Sequence, residues 1–301
     1  RNYPQFSSAL SPTAPQGKSW YDSLQLNLTK RFSHGFSANA AYTYSKNLQF
    51  ISSPDVFNNS VGKDLVGLNP PQILRISFEY RVPRYKGSMP VLGNKVVSYA
   101  LSDWAVSGAM YYTSGAYLGR PLNGSTTAIS RWLGRGPGSA QLKKNADGSY
   151  MSPWSVDWTD NSGTHRTDPL DINCHCFDPA KTVAINPDAW QVIPDATWTS
   201  DTSTYSFFRA QRKPAESMNF QRNFRIKERY TFQVRLEFQN VVNRIQLPAP
   251  AMAFTPLNTS TTYQKAPNGN YTAGFGTFGN LATGSQLGTP RSGQLIGRFT
   301  F

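Results

Sequence analysis

Tyr230, Phe232, Val234, Leu236 and Phe238 alternate with Thr231, Gln233, Arg235, Glu237 and Gln239. Successive strand residues point to opposite faces, so this segment reads as a strand with one apolar and one polar side. The same two-residue period returns six more times. Leu24, Leu26 and Leu28 carry it first. After a turn at Ser33-His34-Gly35, Phe36, Ala38, Ala40, Tyr42 and Tyr44 face away from Ser37, Asn39, Ala41, Thr43 and Ser45, which completes a hairpin. Leu74, Ile76, Phe78, Tyr80 and Val82 stand against Ile73, Arg75, Ser77, Glu79 and Arg81. Trp104, Val106, Gly108, Met110 and Tyr112 make a fourth run, and Met218, Phe220, Phe224 and Ile226 a fifth. Leu295, Gly297, Phe299 and Phe301 close the chain, opposite Gln294, Ile296, Arg298 and Thr300.

Alternation also suits a soluble sandwich, so the connections carry the next step. Shorter and longer ones alternate, and the long segments, about 47–70, 115–215 and 244–289, are rich in Asn, Ser, Thr, Gly and Pro. Short turns on one side and long loops on the other characterise outer-membrane barrels. Composition agrees. Charged residues are 16% of the 301, aromatics 13%, hydrophobic residues only 39%, and the mean hydropathy is −0.47. Strands that are apolar on one face give such averages. A helical membrane protein is excluded: the best candidate, Val96 to Leu118, is broken by Asp103, Gly108 and several serines. The expected fold is therefore all-β, an antiparallel up-and-down transmembrane barrel segment of about seven strands.

Aromatics add to this. Tyr42 and Tyr44 lie at the long-loop end of their strand, while Phe32, Phe36, Phe299 and Phe301 lie at the short-turn end, as two interfacial girdles require. Arg222 breaks the apolar face of the fifth run, and either a bulge turns it inward or it snorkels near an interface. Seven basic and two acidic residues fall between Arg209 and Arg229. Charges at strand ends and on a lumen face account for them better than a nucleic-acid footprint does. Cys174 and Cys176 flank His175, which admits a small metal site, a local disulfide or two free thiols; this spacing without a second cluster is weak for zinc.

Several segments together resemble TonB-dependent outer-membrane receptors of the Oar-like type. Tyr21-Asp22-Ser23-Leu24-Gln25 with Ala41-Tyr42-Thr43-Tyr44-Ser45-Lys46 is similar to the family's paired strand motif. Trp104-Ala105-Val106-Ser107-Gly108, then Ser114-Gly115, is similar to its tryptophan strand. Asn223-Phe224 and the run Arg235 to Asn243 resemble its late-barrel signature. Phe275-Gly276-Thr277-Phe278-Gly279 and Arg291-Ser292-Gly293-Gln294 resemble its last loop and final strand. The last strand also resembles the signal read by the barrel assembly machinery, with Gln294, Phe299 and Phe301 matching and the glycine displaced to 297.

The resemblance implies a bacterial outer-membrane location, import of a substrate, and a TonB complex reached through an N-terminal part with a plug. No such part is recognisable here, nor is a signal peptide, and the chain opens on Arg1. Receptor barrels of this kind have about 22 strands, and seven would leave two open edges in lipid. The expectation is the C-terminal portion of a barrel, spanning 1–301.

Candidate site residues follow from position. Arg75, Glu79, Arg81, Arg235 and Glu237 fall on the polar, lumen-side face, where they set selectivity, hold a plug or hydrate the wall. Trp132, Tyr150, Trp154, Trp158 and Trp190 lie in the longest loop, as platforms for sugar or as loop packing. Siderophore, vitamin, oligosaccharide and peptide substrates all remain open, and no cofactor is expected. A soluble extracellular carbohydrate-binding protein is the competing reading, distinguished by two buried sheet faces meeting in a core. An enzyme is not expected. His34, His165 and His175 are scattered, Asp157, Asp160, Asp168 and Asp171 show no paired geometry, and no nucleophile elbow or phosphate loop is present.

Overall fold

In a computed structural model, the described residues are 17–50, 64–66, 70–83, 103–123, 140–192, 204–226, 230–254, 263–279 and 290–301. Seven long strands form one wall: β1 (Lys18–Ser33), β2 (Phe36–Phe50), β3 (Gln72–Arg81), β4 (Trp104–Thr113), β5 (Lys213–Ile226), β6 (Tyr230–Gln239) and β7 (Ser292–Thr300). Each pairs antiparallel with the next in sequence, and the short strand Asp64–Leu65 adds to the far end of β2. Because successive strands are antiparallel, β1–β2, β3–β4 and β5–β6 have their joined ends on one side of the sheet, and β2–β3, β4–β5 and β6–β7 on the other. The β1–β2 turn is tight because His34 and Gly35 both take positive φ, 52° and 78°, which matches the right-handed strand twist.

Register joins the alternating runs into continuous faces. Phe36, Tyr80, Val106, Phe220, Leu236 and Leu295 form one apolar row across β2 to β7. One residue along, Ser37, Glu79, Ser107, Asn219, Glu237 and Gln294 form a polar row. The apolar side is bare: Leu28 is 72% exposed and Leu295 69%. No second sheet packs on it among the described residues, so the sandwich alternative, with two faces meeting in a core, does not form. A cavity of about 620 Å³ lies against the polar side, lined by residues from β1 to β6. A space bounded by six adjacent strands requires the sheet to be concave there. The wall thus curves around its polar face and turns its apolar face outward.

Arg222 keeps regular register with Trp104 and Val234, so no bulge reverses it. It stays on the apolar face toward the short-turn end, buried, with its guanidinium 4.6 Å over the Phe224 ring. Gly108 is required by close approach: a Cβ there would lie 2.5 Å from the Phe78 ring, which covers it from β3.

The buried apolar core lies elsewhere. Phe50 apart, the buried apolar side chains of the described residues come from the two longest connections. These segments are more structured than their turn-rich composition suggests. Tyr117–Gly119 and Thr204–Arg209 pair as an upward extension of β4 and β5. Gly115 lets that extension close, since a Cβ there would overlap the Ala210 carbonyl. Above it, Ala140–Leu142 pairs with Trp190–Val192, and Trp158–Thr159 with His165–Arg166. The later connection is stitched onto the earlier one: Ala253–Phe254 runs parallel to Leu122–Asn123, and the Ala184 amide donates to the Gly276 carbonyl at 2.7 Å. Together they make one lobe at the long-loop end.

Candidate functional site

Three surfaces have organised chemistry: the polar face, the lobe, and the rim between them. On the polar face the five charged candidates fall together, and each finds a local partner. Arg81 Nε donates to Glu79 Oε1 at 2.9 Å, and Arg235 forms an ion pair with Glu237, Nε to Oε1 at 2.9 Å. Gln294 Nε2 donates to Glu237 as well. Arg75 stands over the Tyr111 ring at 5.3 Å and Arg81 over Phe32 at 5.2 Å. Exposed pairs like these contribute little to stability. They leave both signs of charge on one face of the wall, where Glu79 and Glu237 also line the cavity.

In the lobe, two of the candidate tryptophans are enclosed. Trp190 is 3% exposed and Trp158 7%. Trp190 packs against Tyr205 and Phe208, while Trp158 sits with Leu170, Ile172, Phe177 and Phe278. Trp158 Nε1 donates to the Asp168 carbonyl at 2.8 Å, which satisfies its polar tip. A ring enclosed this way has no open face on which a sugar stacks. Trp154 bridges the two clusters, and Tyr150 packs on Tyr205 and Phe207. Trp132 lies outside the described residues. Of the open choices at Cys174 and Cys176, the structure takes the disulfide, so neither sulfur is a thiolate ligand beside His175.

One buried amide ties the lobe to itself. Gln211 Oε1 accepts from the Leu247 amide at 2.7 Å, and its Nε2 donates to the Ile172 carbonyl at 3.4 Å. It sits where the extension leaves β5 and joins both long connections. The loop Asp157–Arg166 is tied by Asp160. Its Oδ1 accepts from the Ser162 hydroxyl and from the Ser162 and Thr164 amides, and its Oδ2 from Arg166. Led by the Ser162 hydroxyl, these donors hold the Asp160 carboxyl down at about 2.

At the rim, sequence reasoning missed Glu216 and Arg244. Glu216 lies on the apolar face of β5 opposite Met110, yet is 3% exposed. Arg244 Nε donates to both carboxylate oxygens at 3.1 and 3.2 Å, and the Tyr112 hydroxyl donates to Oε1 at 3.1 Å. Arg244 is placed by the turn after β6, where Asn240 and Asn243 take positive φ. Asn240 Oδ1 accepts from the Arg244 amide at 2.8 Å, and Asn243 Oδ1 accepts from the Arg291 amide at 3.1 Å. The Asn240 to Arg244 segment is thus a rigid corner between β6, β5 and β7.

At the other end of β7, Phe299 stacks on Tyr230 at 5.9 Å and Phe301 is 91% exposed. Gln294 lies on the opposite face, in the polar row. Of the basic cluster, Arg209, Arg212 and Lys213 gather at the long-loop end. Arg222 is instead on the apolar side.

A concave antiparallel meander, polar within and bare and apolar without, is the wall of a β-barrel made for a lipid surround. The family model of the outer membrane beta barrel domain matches residues 1–294. The chain belongs to this family and is a bacterial outer-membrane protein. No curated protein and no solved structure matches it.

Proposed function

We propose that this chain forms the C-terminal part of a TonB-dependent receptor of the Oar-like type, which captures a substrate at the cell surface and imports it. The observation that carries this reading is the lobe: two long connections fold into one body with its own core, standing over a wall whose inner face is polar and charged. A passive pore needs no such body. Loops held by a rigid scaffold are where binding surfaces are built. Arg75, Glu79, Arg81, Arg235 and Glu237 then line the path or receive a plug.

The edges of β1 and β7 support further strands completing the barrel, because open edges are not tolerated in lipid. Outer-membrane lipid contacts the apolar face, and the assembly machinery reads Gln294, Phe299 and Phe301. TonB acts through another part of the protein. No catalytic step and no cofactor enter this reading.

Uptake of labelled siderophore, vitamin, oligosaccharide and peptide pools, compared in wild-type, gene-deleted and TonB-deleted cells, tests it. One pool should lose uptake in both deletions. Loss in the gene deletion alone would make the protein a passive channel and overturn energised import. If every pool is taken up equally by all three strains, an import role for these four classes is wrong.

A further inference from the structure

A second cavity, about 760 Å³, opens at the long-loop end between the lobe and the wall. Its position sets it apart from the polar face. Of the wall residues that line it, Tyr42, Leu74, Tyr112 and Pro214 form one row of the outward, apolar side, Gln72 stands on the same face, and Thr113 ends β4 beside them. Its upper part carries Arg209, Arg212 and Arg244. Trp154, Leu170, Ile172 and Phe207 of the lobe line it as well, so guanidinium groups stand among apolar side chains, a lining that suits an amphiphile with an anionic head.

Height agrees. Trp104 and Tyr112 stand on the same face of β4. With a rise of ~3.3 Å per residue and a tilt of ~40°, they are separated by about 20 Å along the membrane normal. An outer-membrane apolar band is ~25 Å tall. With the Trp104 end at one boundary, Tyr112 lies about 5 Å short of the other, so the cavity opens across the upper edge of the apolar band.

The three arginines are held differently. Arg244 is committed to Glu216. Arg209 lies 4.6 Å over Tyr117, with Nε on the Ser206 carbonyl at 2.6 Å. Arg212 is exposed, and its position is fixed by its amide, which donates to Asn173 Oδ1 at 3.0 Å. Asp171 also lines the space, but its Oδ1 is occupied by the Asn173 amide and side chain. Guanidinium groups bind phosphate in two-point fashion and tolerate partial desolvation.

We propose that this cavity binds the phosphorylated headgroup of an outer-leaflet glycolipid, with Arg209 and Arg212 on phosphate and the acyl chains descending over Tyr42, Leu74 and Tyr112. The inference rests on the outer-membrane placement and not on the import reading, so each can fail alone. The test uses the full-length protein, folded in detergent and checked by its heat-dependent gel mobility. Binding of bisphosphorylated lipid A is compared with its dephosphorylated form and with inorganic phosphate as competitor.

Wild type should bind the bisphosphorylated lipid at least tenfold more tightly than the dephosphorylated one. The Arg209→Gln/Arg212→Gln pair should lose about tenfold while keeping the gel shift. Arg212→Gln alone should show a smaller loss, and Arg212→Lys, which keeps the charge without the planar fork, should recover only part of it. Equal binding by wild type and the double variant would overturn the proposal, as would equal binding of the two lipids. Complete displacement by millimolar phosphate would make this a site for free phosphate instead, and the lipid reading would be wrong.

Discussion

The wall and the lobe solve opposite problems with the same residue types. In the wall, Leu24, Leu26 and Leu28 are more than half exposed, and Phe299 and Leu295 likewise. In the lobe, Phe208, Ile185 and Leu170 are at or below 1% exposure. An apolar side chain is stable wherever water is absent, and a bilayer removes water from outside as a core does from within. The wall therefore places its long apolar rows on the surface and keeps hydrogen bonding inside the ladder. The lobe stands in water, so it must build a core from short strands and turns. Mean hydropathy averages these two regimes and describes neither.

Truncating a lobe core residue should have the largest effect, and only on the lobe. Phe208 is fully buried, with the Trp154 and Trp190 rings at 5.2 and 5.5 Å. Phe208→Ala should cost about 3–5 kcal/mol. Limited proteolysis of intact cells should then cut segments within 140–192 much faster, while the heat-dependent gel shift of the barrel persists. If that shift vanished as well, wall and lobe would be one cooperative unit and the division drawn here would be wrong.

The wall breaks the other way. Ile76 faces outward between Ala40 and Met110, and Ser77 faces inward between Asn39 and Ala109. Ile76→Arg should lose about 2–4 kcal/mol in urea titrations from lipid vesicles, the cost of a cation on the lipid face. Ser77→Arg, one residue along, should lose less than about 1 kcal/mol. Equal losses would mean that both faces meet the same medium.

The same contrast governs what was legible in the sequence. The wall was readable because lipid on one side and water on the other write a strict two-residue period, so Tyr230 to Gln239 shows both its strand and its faces. The start of β1 showed no period: Lys18 to Ser23 belongs to the strand, with Tyr21 to Ser23 visible only through the resemblance, and it rises toward the rim, where no uniform medium enforces alternation. Lobe strands such as Ala140–Leu142 and Trp190–Val192 were invisible for a related reason. Three residues carry no period, and their pairing is chosen by contacts distant in sequence. Loop tryptophans looked equally like ligands and packing until Trp158 and Trp190 were seen enclosed. Glu216 was missed because its partner Arg244 lies across a turn. The asparagines that fix that turn, Asn240 and Asn243, were visible in the sequence only as part of a resemblance.

Gln211 joins the two long connections within the lobe, just above β5, and its loss should be intermediate. Gln211→Leu keeps the volume but leaves the Leu247 amide and the Ile172 carbonyl without this partner. An unsatisfied buried polar group costs about 1–3 kcal/mol. Amide exchange should quicken at Leu247 and in Thr204–Arg209, and stay unchanged in β6 and β7. Uniform acceleration throughout would show that the residue supports the whole fold and not the joint.

The smallest effect is a pH dependence confined to one loop of the lobe. The Asp160 side chain is 8% exposed, and its cover is the turn's own hydroxyls and amides with Arg166 beside it. Its carboxyl is held at about 2 against an ordinary 3.8. A carboxylate whose folded value is depressed stabilises the fold fully above its unfolded value, and that contribution fades as the pH falls toward the folded one. The loop Asp157–Arg166 should therefore be intact at neutral pH and loosen between about pH 4 and pH 2, as protonation removes the acceptor that Ser162, Thr164 and Arg166 share. Exchange at the Thr164 amide reports this directly. Asp160→Asn keeps an acceptor but loses the charge, so it should loosen the loop at neutral pH and flatten the acid response. The wall's ladder should not move over this range. A Thr164 amide equally protected at pH 2 and pH 7 would show that pairing with His165–Arg166, not the carboxylate, holds the loop.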